Sequence, residues 1–451
     1  MGSNKDRASI HRKGAGVIAA TMAFTVATAG ATGASAAAPR RGAASEALTI
    51  WVDSARLPMA KAYAKTHPGV DVKIVTFDGG ANGDGSIESK VALFNRIGRG
   101  WPDIIFSEEA NDVQRLAAPQ FQNFSAVLNK GLVPDKVLSG YAKGALYPCM
   151  VGGKLECLRN DMAFDVLWVN MPLMKQWGYT VPSTWQQWQA IGESVAKNHP
   201  GYIVGTAGDS FDDSIYLQAA QCPVNEVVNA YTVLDNPNDP HCTRMGKLLD
   251  PLLTDKSLPV VYSLASTFGK QYANKTLMLI GPAWYSGAIF EGTGSEFNSP
   301  KGTWAAYPPL AWGSPTARAF TGDVGGGLWI MSSHAANPKL TAQAMTWLAT
   351  STTSQDLSQG YPGYVPAARS WIAQQDKSQF FAKPLAPTFA KAVGEVWTGW
   401  SESQWDVYGL WASNVLPNLA SGSTFSSQIP VLASQISNAA AVAGFQVVTK
   451  R

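Results

Sequence analysis

Between Leu48 and Glu109 the chain alternates short apolar runs with amphipathic ones, leaving room only for compact strand-helix-strand units. Leu48 to Val52 reads as a strand that stops at Asp53-Ser54. Pro58 to His67 carries apolar residues at helical spacing, and Pro68-Gly69 ends it. Val70 to Phe77, with Val70, Val72 and Ile74 alternating with polar residues, predicts a second strand ending at Asp78-Gly79-Gly80. Ser86 can cap a helix running to Arg99, with Glu88 in its favourable first turn. Pro102 to Phe106 gives a third strand, ending at Ser107-Glu108-Glu109. Strands joined by helical crossovers of this length pair in parallel, which predicts a doubly wound α/β lobe.

A second series follows. Phe164 to Val169 is a buried-strand candidate, Pro172 to Trp177 a short helix, and Ser183 or Thr184 caps a helix reaching Lys197. Residues 200–275 read as mostly helical, with one loop closed between Cys222 and Cys242. A strand from Thr276 to Ile280 ends at Gly281-Pro282, and Trp284 and Tyr285 stand where another helix could begin. Strands at Thr303 to Pro308 and Gly325 to Met331 come next, then an amphipathic helix from Pro338 to Thr350. The last ninety residues read as helical, with Trp397, Trp400, Trp405 and Trp411 spaced to stripe one face. No internal repeat or heptad run is present.

The N-terminus predicts export. Lys5, Arg7, Arg12 and Lys13 form a basic region, Gly14 to Ala34 is small and apolar, and Ala34-Ser35-Ala36 matches an A-x-A cleavage site. Residues 1–36 are therefore expected to be a signal peptide, with no nearby Cys to carry a lipid anchor. The alternative, a transmembrane anchor, requires a stronger apolar run than this stretch of Ala, Gly and Thr offers. Without those residues the 35 basic and 32 acidic side chains become 31 of each, and a near-neutral chain does not suit nucleic-acid binding. Four cysteines, an even number, agree with export. Cys149 and Cys157 lie symmetrically about Gly153, and in a hairpin turning at Gly152-Gly153 they would face each other at disulfide distance. Cys222 and Cys242 are expected to form the second bridge. A metal centre is not expected, since no cysteine pair has C-x₂₋₄-C spacing and only His241 sits beside a cysteine.

Catalytic motifs are largely missing. There is no G-x-S-x-G elbow and no phosphate loop, and Gly325-Gly326-Gly327 departs from G-x-G-x-x-G because position 330 is Ile. Residues 78–89 fail as a calcium loop, having Gly80 at the third position and Ser89 at the twelfth. The histidines at 11, 67, 199, 241 and 334 give no ligand pair at helical spacing. A glycosidase with acids far apart in the chain stays open as an alternative. What remains is a set of polar groups at strand ends: Asp53, Asp78, Glu108 and Asn111 in the first series, Asp161 in the second. Each alone is also a suitable helix cap or loop residue. Trp284 and Tyr285 read equally as a ligand platform or as core. Together, carboxylates on a rim and aromatics as floor and lid suit a sugar, whose hydroxyls need polar partners and whose C–H faces stack on rings.

Six segments, in order, resemble the extracellular solute-binding proteins of carbohydrate ABC importers, the class that includes maltose-binding protein. They are LTIWVD, RIGRGWPDIIFSE, GGKLECLRNDMAFDVLWVNMPLMKQWGYTVPSTWQQW, NKTLMLIGPAW, VGGGLWIMSSHAANPKLTAQAMTWL and QGYPGYVPA, and the resemblance covers nearly all of residues 46–451. It departs from the family in lacking the lipid-attachment Cys, in the 149/157 cysteine pair and in the 222–242 loop. The resemblance implies an α/β, two-lobed periplasmic-binding-protein-like fold with a hinged cleft. One lobe would comprise residues 46–146 and 320–362, the other 147–319 and 363–451. It further implies that Asp53, Asp78 and Glu108 line one rim, that Asp161, Trp284 and Tyr285 line the other, and that Gly325, Gly326 and Tyr361 lie near the hinge. Trp400 and Trp405 match the family's tail aromatics loosely. The expected molecule is an exported, cofactor-free monomer that closes on a mono- or oligosaccharide and hands it to a membrane permease without catalysis. A non-sugar solute in the same fold is the other alternative.

Overall fold

A computed structural model describes residues 47–77, 86–128, 131–229, 231–291 and 295–450. The expected signal peptide, residues 1–36, and Asp78 lie outside these described residues.

The first series folds as its periodicity dictates. Strands Leu48–Val52, Val72–Thr76 and Ile104–Ser107 pair in parallel, with Leu48 opposite Val72 and Ile50 opposite Ile104. Their crossovers are the helices Leu57–Thr66 and Ser86–Ile97. Alternating burial along Leu48–Val52 places Leu48, Ile50 and Val52 in the core. Two more strands complete this sheet, and both are antiparallel to their neighbours. Leu328–Met331 pairs with Ile104–Ser107, and Leu158–Arg159 pairs with Leu328–Met331. Periodicity cannot reveal these pairings, because the chain returns to the sheet from far along the sequence. Since Leu158–Arg159 still belongs to this sheet, the chain crosses to the next one after residue 159, later than the expected 147.

The second lobe is built on the strand Asp165–Asn170, all six residues buried, between antiparallel Met278–Pro282 and Trp304–Tyr307. The Thr276–Ile280 strand is displaced from its expected position. It runs through Gly281 and Pro282, which pair with Val166 and Asp165 instead of ending the strand. A capping box fixes the helix Trp185–Asn198: Thr184 Oγ1 accepts from the Gln187 N–H at 3.2 Å and Gln187 Oε1 accepts from the Thr184 N–H at 3.2 Å.

Residues 200–275 depart from the helical expectation. They contain a π-helical turn at Asp213–Gln218 and a hairpin of Glu226–Asn229 with Thr232–Leu234, before the helices Pro240–Thr254 and Ser266–Tyr272. The tryptophan stripe does not form either. Trp397, Trp400 and Trp405 lie in non-helical chain, and only Trp411 is in a helix, Val407–Asn414. A compact turn interrupts the segment at Gly399, where a Cβ would overlap the Trp397 ring.

Both cysteine pairs are bridged. Cys149 and Cys157, with Cα atoms 4.9 Å apart, close the hairpin Met150–Val151 and Lys154–Leu155. Gly152 and Gly153 supply its turn with positive φ of 54° and 80°. Cys222 and Cys242, 4.5 Å apart at Cα, tie the π-helical turn's exit to the helix Pro240–Thr254. Loop-closure entropy makes the expected loss about 3 kcal/mol for either double Cys→Ala variant. Chemical denaturation of the two variants measures this, and an unchanged midpoint would show that the bridge does not restrain the unfolded chain.

Candidate functional site

A cleft of about 690 Å³ opens beside the strand ends of the first sheet. Ligands collect there in open α/β sheets because loops and helix starts converge outside the carboxyl ends of parallel strands. Arg56, just after the first strand, and Glu108 and Glu109, just after the third, form one wall. Phe211, Leu264 and Trp284 face them from the second lobe, and Asp161 with Gly325–Gly327 forms the floor where the chain crosses between sheets.

Arg56 organises the first wall. Its Nη1 donates to Asp53 Oδ2 at 3.2 Å and to Glu108 Oε1 at 3.0 Å, and its backbone N–H donates to Asp53 Oδ1 at 2.7 Å. The guanidinium also lies 4.4 Å from the centre of the Phe106 ring. Asp53 is consequently 5% exposed and sits behind Arg56, outside the cleft lining. It positions the arginine. Glu108 remains on the wall, where burial pushes its carboxyl up to about 7 against the opposing pull of Arg56. Asn111 is turned away, with its Nδ2 3.4 Å from the Trp405 carbonyl.

The floor is held by Arg159, whose side chain is wholly buried. Its Nε donates to the Asp161 carbonyl at 2.6 Å, and its Nη2 donates to the Gly325 carbonyl at 2.8 Å and to Asp323 Oδ2 at 2.9 Å. Asp161 Oδ1 accepts from the Gly327 N–H at 3.1 Å and from Asn160 Nδ2 at 2.8 Å. Two glycines of the floor leave room for neighbouring groups of the protein itself. A Cβ on Gly326, at φ +83°, would overlap Arg159 Nη2, and one on Gly327 would overlap the Phe106 ring. Tyr361 does not line the cleft; its half-buried ring packs on Phe164, with centroids 5.3 Å apart.

On the opposite wall the adjacent aromatics separate. Trp284 is half-buried, lines the cleft, and donates from Nε1 to the Val324 carbonyl at 3.2 Å. Tyr285 is fully buried: its hydroxyl lies 3.1 Å from Asp209 Oδ2 and 3.0 Å from Ser263 Oγ. Tyr285 is thus core, placed there because the chain turns into the π-helical segment Ser286–Phe290 immediately afterwards. Trp400 and Trp405 are also buried away from the cleft, and Trp405 Nε1 donates to Asn225 Oδ1 at 3.0 Å.

Arg56, Glu109, Phe211 and Tyr408 line the cleft without having been singled out in sequence. Arg56 shares the strand-end loop of Asp53, and Phe211 lies in the acid-rich run Asp209 to Asp213, so both had a local signal. Tyr408 had none. Its phenol oxygen accepts from the Gly325 N–H at 3.1 Å and from Ser214 Oγ at 3.3 Å, fastening the tail to the floor. Among the described residues no group of His, Cys, Asp or Glu is arranged to hold a metal ion. No described helix is long and apolar enough to cross a membrane.

Residues 50–355 match the family model for bacterial extracellular solute-binding protein. No curated protein matches the chain in sequence. Among solved structures, the fold is similar to an ABC transporter associated binding protein from B. animalis subsp. lactis Bl-04 in complex with beta-1,6-galactobiose. That pair has a TM-score of 0.69 at 15% identity, over 89% of this chain and 98% of the other. The galacto-N-biose-/lacto-N-biose I-binding protein from Bifidobacterium longum, in complex with lacto-N-biose, gives 0.69 at 16% identity over 89% and 98%. The GacH receptor of Streptomyces glaucescens GLA.O, whose structure was solved unliganded and with acarbose and an acarbose homolog, gives 0.64 at 18% identity over 89% and 99%. At these identities the likeness is one of fold, two lobes about a cleft. The chain belongs to the bacterial extracellular solute-binding protein family.

Proposed function

We propose that this protein is the carbohydrate-binding component of an ABC importer: exported and monomeric, it closes on a mono- or oligosaccharide and delivers it to a membrane permease. The observation that carries this reading is the half-buried Trp284 across the cleft from the polar wall of Arg56, Glu108 and Glu109. A pyranose presents a C–H face to such a ring and hydroxyls to such a rim. The sugar complexes among the similar folds support the same reading. Residues 46–146 with 320–362 would move as one lobe against the rest, apart from Leu158–Arg159, whose pairing ties it to the first sheet.

Binding, with no bond made or broken, is the chemistry this arrangement serves. A ligand touching both walls favours the closed form because only that form makes both sets of contacts. A dissociation constant in the micromolar range, worth roughly 8 kcal/mol, would suit release to a permease.

A thermal-shift screen of the purified chain against mono- and oligosaccharides tests the reading. At least one is expected to raise the melting temperature. Trp284→Ala is expected to weaken that ligand by at least about tenfold, since aromatic stacking contributes roughly 1 kcal/mol beyond the area it buries. Its own unfolding should remain cooperative. Undiminished affinity in this variant would remove Trp284 from the site, and sustained hydrolysis of an oligosaccharide would favour a secreted glycosidase instead.

One acid of the cleft and two acids away from its lining also set a pH dependence. Burial raises the Glu108 and Glu402 carboxyls to about 7 and the Asp209 carboxyl to about 6. Each binds its proton more tightly folded than unfolded. Their contribution to stability is therefore full below the unfolded carboxylate range of about 4 and lost as the pH rises through these higher values. The ligand-free protein should melt several degrees lower at pH 8 than at pH 5, read by calorimetry at constant ionic strength. A flat or rising profile would contradict the assignment.

A further inference from the structure

The charges around the cleft do not balance. Glu108, Asp161 and Glu296 line it beside Glu109, which has a partner of its own, whereas Arg56 is the one cation among the described lining residues. That cation is already shared between Asp53 and Glu108. The buried cation behind the floor, Arg159, is paired with Asp323. The Asp161 carboxylate is met instead by neutral donors, the Gly327 N–H and the Asn160 amide. Neutral donors satisfy its lone pairs without cancelling its charge.

An electroneutral sugar gives no account of this surplus. Hydroxyls are bound as well by amides, or by carboxylates paired with cations, while excess negative charge in a closing cleft is penalised as water leaves. We propose that the preferred ligand is an amino sugar, a saccharide whose protonated amine is received by the acids of this cleft. The inference rests on the sugar-binding reading above and narrows its substrate class.

The remaining lining favours a saccharide over a simple polyamine. Ser286, Ser358, Gln359 and Gln375 line the same cleft, adding uncharged donors and acceptors suited to ring hydroxyls. Phe211, Trp284 and Tyr408 offer ring faces, which attract cations as well as C–H groups. Burial raises the Glu108 carboxyl to about 7, with Asp53 and Asp161 adding to the rise and Arg56 opposing it. An arriving ammonium would supply positive charge beside these acids.

Isothermal titration of the whole purified chain at pH 7 and low salt tests this with matched probes: glucosamine against glucose, galactosamine against galactose, glucosamine disaccharide against cellobiose, and spermidine. In at least one pair the aminated member should bind at least about tenfold more tightly, a margin that added salt reduces. Glu108→Gln and Glu296→Gln should each shrink that margin while leaving cooperative unfolding. Among the described residues Glu296 forms no ion pair, so its variant keeps the test meaningful if Glu108→Gln disturbs Arg56. Equal or tighter binding of the neutral members would overturn the amino-sugar inference and leave the sugar reading standing. Binding of spermidine with no saccharide bound, or of no probe at all, would overturn both.

Discussion

The cleft depends on one buried guanidinium. Arg159 has no exposed surface, so its charge must be met inside the protein, and it takes acceptors from both segments that cross between the sheets. Charge-assisted bonds of this kind are short and stronger than neutral ones, and losing an acceptor would leave a buried charge unmet. Residues 159–161 and 323–325 are thereby tied into one block. Gly326 belongs to the same device, because its left-handed backbone and absent Cβ leave room for the guanidinium. In the proposed closure, lobe movement would be absorbed to either side of the block, which would keep the floor constant while the walls approach.

The aromatic wall is fixed in the same manner. Trp284 is held at its indole nitrogen by the Val324 carbonyl and flanked by Phe211 and Tyr285, at centroid distances of 5.8 and 4.8 Å. Tyr285 is anchored in turn by Asp209 and Ser263. A ring held on three sides loses little rotamer freedom when a ligand arrives, and preorganisation of this kind raises affinity without adding contacts. Tyr408 extends the arrangement to the C-terminal tail through Gly325 and Ser214.

How much of this was legible in the sequence divides by range. The strands from Leu48 and Ile104, the crossover helices and the cysteine hairpin follow from local periodicity, capping and symmetry, and they appear within a few residues of expectation. Glu108, Asp161 and Trp284 were also legible, as polar or aromatic residues beside strand ends, and the cleft brings them together. Pairings between distant segments were not. The antiparallel entry of Leu328–Met331 and the burial of Trp400 and Trp405 depend on chain that returns from elsewhere. Trp284 and Tyr285 illustrate the limit: neighbours in sequence, one faces the cleft and the other faces Asp209, a choice made by a single turn of backbone.

Asp53 shows why a residue behind the wall can matter as much as one on it. It grips Arg56 at both the backbone N–H and Nη1, independently of Glu108. Were Glu108 the sole partner, a ligand that drew Glu108 away would strand a largely buried guanidinium, and the cost would subtract from affinity. With Asp53 in place, Glu108 can exchange Arg56 for a ligand hydroxyl or ammonium while the arginine stays neutralised. The Phe106 ring, its centre 4.4 Å from the guanidinium, supports it as well. In the proposed closure the wall could therefore change partners without losing its shape, as a site that captured and released a ligand would require.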